Sequence, residues 1–370
     1  SQDWVTFELP GAPEFVVLPK CTEEVQEIVR IANRERIPIV PWVSNLSIGS
    51  LATPREGGIV VDLRRMNKVI QVDEDNLYAV IEGGITWADF VGYLQKHHPD
   101  LRPAVTYSPP GTSVIASYLL YGMLDLSCMH GNGSHMIVSV EAVLPTGEVI
   151  KTGSAMCSPY WNTQAPLPWL TGLFVGWHGT TGIITKAGVR LFRRKPYRQD
   201  YFMDSETVEI GYYLQRLIAQ REIVDDVASN NWAWGRIEIG EKFPFSRKPG
   251  EPELSSWISF SAWTEKELEA KDEIIKRIVE EEGKGKVTLT DYKEGLKTFP
   301  PGEQMRYFLN LPVQLSNDLD GTRGGRGQWV GAYGPITKCA EVYRAMEKTY
   351  ERYGFVEPYH PIPAYNRVMY

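Results

Sequence analysis

The run GGIVVDLRRMNKVIQVDEDNLYAVIEGGITWADF, residues 57–90, decides the architecture of the first half of the chain. It holds three β-rich segments, GGIVVDL (57–63), KVIQVD (68–73) and LYAVIEGG (77–84), too closely spaced for helices between them, which predicts strands joined largely by hairpins. A helix follows. Thr86 is placed to cap it, and Trp87, Phe90, Val91 and Leu94 share one face.

Upstream, FVVLP from Phe15 reads as a strand, and Thr22 opens a helix whose Glu23 and Glu24 favour the N-terminal dipole. Val25, Ile28, Val29 and Ala32 recur at helical spacing, so one apolar face packs on a sheet, and PIVPW supplies the next strand. Downstream, TYSPPGTSVIAS (106–117) carries Pro109, Pro110 and Gly111, which predict a fixed, non-helical backbone. IVSVEAVLPTGEVIKTG (137–153) reads as a hairpin turned at Thr146 and Gly147. GIITKAGVRLFRR (182–194) reads as one long strand with an irregularity at Gly188. Past residue 200 the charge density rises. Two amphipathic helices are predicted near 264–282 and 335–352, the second with Cys339, Tyr343, Met346 and Tyr350 on one stripe. A domain boundary is expected near Tyr197–Tyr201.

The chain has 370 residues, which is more than one core usually organises. Its net charge of −7, without a long acidic run, argues against nucleic acid or an anionic membrane as a partner. Cys21, Cys128, Cys157 and Cys339 form no CxxC pair, so no metal centre is expected. No run approaches a membrane span and no leader opens the chain, so the expectation is a cytoplasmic protein. GxGxxG and GxxxxGK[ST] are both missing, which removes the Rossmann and P-loop sites. The loop PWVSNLSIGS (41–50) follows a strand and offers Ser, Asn and Gly49, a composition that suits a backbone nest for phosphate but more often makes only an ordinary turn.

The order of these segments, strand, helix, IPIVPW, polar loop, residues 57–90 and LPTGEVIKTGS, resembles the flavin-binding domain shared by vanillyl-alcohol oxidase, 4-cresol dehydrogenase and glycolate oxidase flavoprotein subunits. The resemblance covers residues 15–195, and PLPWLTGLFVGWHGTTGIITKAGV is most similar to the vanillyl-alcohol oxidase branch. It implies an α+β fold: a PCMH-type FAD-binding domain of two subdomains over residues 1–197, and an antiparallel-sheet cap domain for substrate over 198–370. It also implies that Trp42, Val43, Ser44, Asn45, Leu46 and Ser47 wrap the FAD pyrophosphate. Pro109, Gly111, Thr112, Ser113 and Ile115, with Gly133, Ser134, Gly182 and Ile184, would meet the rest of the cofactor.

Leu46, Ser47 and Ile48 stand where many relatives have glycines, and Asn45 stands where others carry a tethering histidine, so the FAD is expected to be dissociable or tethered elsewhere. In GNGSHMI (131–137), Ser134 replaces an aspartate of the branch. His135 is a candidate to take a substrate proton or to steady negative charge on the flavin, and equally a structural loop histidine; His130 and Cys128 are its sequence neighbours. For Cys128 a buried, inert thiol is favoured over a flavin tether. Trp177 and His178 are expected to close their loop against the core. Tyr107, Tyr121, Tyr359, His360 and Arg367 are candidates for holding a phenol or carboxylate, and Tyr359 and Arg367 join His135 as the catalytic candidates. Relatives extend past the position equivalent to Tyr370, so a shortened chain or a second subunit completing the site is expected.

Together these readings imply an FAD-dependent oxidoreductase taking hydride from an alcohol or para-substituted phenol and passing electrons to an external acceptor, with a protein subunit as one such acceptor and a homo- or hetero-oligomer as an open state. A 2-hydroxy-acid dehydrogenase subunit and a non-catalytic FAD relay subunit are the alternatives, and a flavin-independent binding protein is the remaining class.

Overall fold

The computed structural model describes residues 11–44, 52–108, 110–232, 247–297, 334–353 and 364–365. They divide into two compact units. One holds the described residues up to Leu124 and Asn132–Arg194; the other holds Asp125–Gly131 and the described residues from Lys195 onward.

The first unit opens with β1 (Phe15–Val17), α1 (Thr22–Glu35), β2 (Ile39–Trp42) and β3 (Ile59–Asp62). The three strands form a parallel sheet in the order β1-β3-β2. Val25, Val29 and Ala32 of α1 pack on Ile59 and Val61, the face that the helical spacing foretells. The hairpin expected between 57–63 and 68–73 is corrected here. All four residues of β3 are buried, as befits the centre of a parallel sheet, and a 3-10 turn at Leu63–Arg65 carries the chain away to another sheet.

That second sheet contains β4 (Val69–Asp73) and β5 (Tyr78–Glu82), which do form a hairpin. After β5 come α2 (Trp87–His97), β6 (Leu101–Arg102) and α3 (Val114–Leu119). Thr86 accepts a hydrogen bond from the Asp89 backbone N–H, a cap worth about 1 kcal/mol. α3 corrects the non-helical reading of 106–117. Once Gly111 is passed, Ser113 caps a helix by accepting from the Ala116 N–H at 3.2 Å. β7 (Ile137–Val143), β8 (Val149–Lys151) and β9 (Ile183–Arg190) complete a five-stranded antiparallel sheet in the order β4-β5-β9-β7-β8. Gly188 sits at a register shift between β7 and β9, as its place in the sequence suggested. The strand expected over 182–194 ends at Arg190, because β10 (Phe192–Arg193) leaves to pair with β6.

In the second unit, α4 (Ser127–His130) lies beside a sheet made of β11 (Tyr197–Ser205), β12 (Asp226–Asn231), β13 (Leu254–Ala262), β14 (Val287–Asp291) and β15 (Ala364–Tyr365). Its order is β14-β11-β13-β12-β15, antiparallel throughout. α5 (Val208–Ala219) and α6 (Glu265–Gly283) pack through Leu214, Ile218, Ile275 and Ile278 on Tyr201, Met203, Ile258 and Phe260. α7 (Tyr292–Leu296) follows β14. α8 (Cys339–Arg352) buries Tyr343, while Arg344 bridges Glu209 and the buried Glu253. The predicted start of this last helix near 335 is a 3-10 turn, Ile336–Lys338.

Candidate functional site

In a parallel sheet, ligands bind beyond the carboxyl ends of the strands. Here those ends are Trp42 of β2 and Asp62 of β3, which stand opposite one another in register. Asp62 is almost fully buried. Its carboxylate accepts from the Arg64 backbone N–H at 3.0 Å, from Nε at 2.9 Å and from Nη2 at 2.7 Å. Those hydrogen bonds from the guanidinium to Asp62 hold Arg64 above its usual basicity, and the guanidinium lies 4.7 Å from the centroid of the Trp42 ring. Val43 packs against the core formed by α1, β3 and Ile183. Asn45, Leu46 and Ser47 lie outside the described residues, as does Pro109.

The loop before α3 is tied to the start of α2. The Trp87 N–H donates to the Thr112 carbonyl at 3.0 Å, the Ala88 N–H to the Pro110 carbonyl at 2.8 Å, and Val114 N–H to Ile85. Thr112 Oγ1 donates to Ser108 Oγ, itself paired with Thr106 Oγ1. Gly111, Thr112 and Ser113 are thus held by backbone bonds to α2, with Ile115 buried in the first turn of α3. The Gly133 N–H donates to the Gly122 carbonyl, and a Cβ on Gly133 would stand 2.8 Å from Tyr118 Cα, so close packing on α3 demands glycine there. Ser134 is buried, and both its N–H and its hydroxyl donate to Asn132 Oδ1.

Gly182 and Ile184 lie at the start of β9, next to the end of β7; a Cβ on Gly182 would meet the Val143 carbonyl at 2.8 Å. The preceding loop touches both other groups: the Gly176 N–H donates to Leu119 at the end of α3, and a Cβ on Gly179 would stand 3.5 Å from the Pro41 ring of β2. The described candidates therefore fall into three clusters, at β2, at α3 and at β9, linked by one loop within the first unit. That loop closes through buried Phe174 and Val175. Trp177 is 56% exposed and His178 is exposed with φ of 53°, which corrects the expectation that this pair faces the core.

His135 closes a 3-10 turn at Gly133–His135, half-buried, its N–H donating to Asn132. Tyr359, His360 and Arg367 lie outside the described residues, whereas Tyr107 and Tyr121 belong to the first unit. Cys128 is buried among Leu214, Val224 and Phe260 in the core of the second unit, with its N–H donating to the Asp225 carbonyl, where a thiol packs as a small apolar group.

A nucleotide-sized anion needs donors and unspent hydroxyls, and the first unit has them. Thr53 Oγ1, between β2 and β3, and Trp87 Nε1, at the start of α2, are buried with no hydrogen-bond partner among the described residues. With the Arg64 cation they fit a dinucleotide that brings its own acceptors. Residues 13–153 match the model of the FAD binding domain family.

Residues 13–153 form an FAD-binding domain.

The 4-cresol dehydrogenase [hydroxylating] flavoprotein subunit of Pseudomonas putida is 25% identical over 93% of this chain and 70% of its own length. Glycolate oxidase subunit GlcD of Bacillus subtilis (strain 168) is 29% identical over 50% of this chain, and the match spans 38% of that protein. Among solved structures, substrate-bound p-cresol methylhydroxylase superposes with a TM-score of 0.79 at 19% identity, covering 98% of this chain and 77% of that one. The chain thus has the α+β fold of that flavoprotein and is an FAD-dependent oxidoreductase related to the cresol and glycolate proteins. Among the described residues, no helix is long and apolar enough to cross a membrane, and no group of His, Cys, Asp and Glu is placed to hold a metal ion.

Sequence reading missed Asp62, Arg64, Thr53 and the Trp87 indole nitrogen. The Asp-x-Arg spacing at the end of a strand was a visible signal for the first pair. The other two are recognised only by burial without a partner.

Proposed function

We propose that the chain is a dehydrogenase that removes a hydride from an alcohol or para-substituted phenol and hands the electrons to an external acceptor. The observation that carries this reading is coverage. The cresol relative aligns with 93% of the chain, both units included, whereas the glycolate oxidase relative leaves half of it unmatched. A fold is shared by many chemistries, so the weight rests on sequence similarity across the second unit.

Bound FAD supplies the hydride acceptor, its N5 atom. The protein's part is to place, exclude water and move a proton. In this reading residues 1–197 hold the cofactor and 198–370 cover its ring as the substrate cap. Trp42, Val43 and Ser44, continued by Asn45, Leu46 and Ser47, take the diphosphate. Gly111, Thr112, Ser113 and Ile115, in the segment fixed on the start of α2, set the ring's position together with Pro109, Gly133, Ser134, Gly182 and Ile184. His135 takes the substrate proton, and Tyr359 and Arg367 hold the phenolic or carboxylate end. The FAD is dissociable in this reading, because Asn45 stands where other relatives carry a tethering histidine and the Cys128 thiol is enclosed in an apolar core.

The acceptor in this proposal is a protein, because the cresol relative is named as the flavoprotein subunit of its enzyme. A cytoplasmic setting agrees with four cysteines that are all free. A second reading, oxidation of a 2-hydroxy acid, is favoured by the 29% identity with glycolate oxidase subunit GlcD. Anaerobic mixing with 4-cresol, vanillyl alcohol, glycolate and D-lactate separates these. Bleaching of the flavin by a phenol supports the first reading, bleaching by the acids alone supports the second, and bleaching only with an added partner protein identifies a relay subunit.

A further inference from the structure

We propose that Arg64 is a ligand of the FAD diphosphate, held in place for that role by Asp62 and Trp42. The inference rests on the reading that the loop leaving β2 carries the diphosphate. Asp62 and Trp42 end adjacent parallel strands, where bound anions sit, and the turn at Leu63–Arg65 lifts Arg64 to that edge. A buried carboxylate grips one side of the guanidinium through Nε and Nη2, and the Trp42 ring supports it at 4.7 Å. Nη1 has no hydrogen-bond partner among the described residues, and the side chain is 58% exposed. The cation is therefore fixed in orientation while part of its fork stays unspent, as planar recognition of phosphate requires.

A purely structural ion pair would have a different signature. Its removal would loosen the turn after β3 and leave the affinity for cofactor alone. Five donors on one rigid plane, two of them committed to Asp62, also explain why an arginine serves here better than a lysine.

The test uses the full chain stripped of flavin, with FAD and ADP as probes, read by equilibrium binding and by melting temperature without ligand. Arg64→Gln is expected to weaken FAD by about tenfold or more, the loss of one charge-assisted hydrogen bond, and to flatten the dependence of binding on salt. ADP, which carries the diphosphate without the flavin, should lose affinity in parallel. FAD affinity within about twofold of the parent protein would overturn the assignment. Should Arg64→Gln fail to fold, Arg64→Lys decides: it keeps the charge against Asp62 and loses the fork, so a severalfold loss is expected and unchanged affinity contradicts the proposal. A parent protein that takes up no FAD at all removes the cofactor reading itself, whereas a parent that binds FAD beside an indifferent variant removes only the role of Arg64.

Discussion

Two carboxylates, Glu141 in the first unit and Asp204 in the second, are held on opposite terms. In the first, Glu141 of β7 accepts from Thr22 Oγ1 at 2.8 Å, Thr185 Oγ1 at 2.9 Å and Lys186 Nζ at 2.7 Å. Burial pushes its carboxyl up, but the bonds from Lys186 and Thr22 outweigh burial and leave it below its ordinary value. In the second, Asp204 of β11 accepts from Ser255 Oγ alone among the described residues, and burial holds its carboxyl above the ordinary value. Asp204 and Phe202 alternate with Tyr201 and Met203, which face the helices, so Asp204 looks out from the other side of the sheet. Glu141, with its three donors, ties α1, β7 and β9 together, which suits a scaffold that must hold a large cofactor in one place. The second unit pairs its buried Glu253 and Asp200 with arginines and leaves Asp204 under-paired, on a face free of α5 and α6.

That contrast makes the first unit the place where substitutions act on chemistry and fold most strongly. His135→Ala should slow flavin reduction by about 10²–10⁴-fold, the range of a lost general base, while FAD stays bound; an unchanged rapid-mixing rate makes His135 structural. Glu141→Ala should cost about 3 kcal/mol in urea unfolding, because it strands Lys186 and two hydroxyls. The sign with pH follows from the depressed carboxyl. The stability Glu141 provides is present above its unfolded value of 4.5 and disappears as pH falls through the lower folded value, so parent and variant should converge in acid. A gap of equal size at every pH would break the comparison.

Smaller effects sharpen it. Ser113→Ala should cost about 1 kcal/mol through the lost cap of α3 and should also weaken FAD. In the second unit the sign reverses. A raised carboxyl favours the folded state only while protonated, so stability from Asp204 is fully present below its unfolded value of 3.8 and is lost as pH rises through the higher folded value. Asp204→Asn should therefore raise stability at neutral pH by about 0.5 kcal/mol and make no difference in strong acid, as thermal melts across the pH range would reveal.

Much of the first unit is legible in sequence because its signals are local. Thr86 with Trp87, Phe90, Val91 and Leu94 declares a capped amphipathic helix, and Thr146 with Gly147 a hairpin turn. The sheet to which Ile59–Asp62 belongs is less legible, since proximity to the next strand suggests a hairpin while the unbroken apolar run marks a buried parallel strand. Arg64 escaped notice because its meaning depends on Trp42, which only the pairing of β2 with β3 brings alongside. Cys128 likewise stands in the flavin half of the sequence and packs in the core of the second unit, a long-range outcome that no local pattern carries.

The central claim, a dissociable FAD serving the oxidation of a phenol or alcohol, is tested most directly by the absorbance spectrum of the purified chain before and after acid precipitation, followed by anaerobic 4-cresol. The account predicts a yellow protein whose colour passes to the supernatant and whose flavin bleaches with the phenol. A colourless protein that takes up no added FAD, or a flavin that only glycolate or lactate reduces, would contradict it.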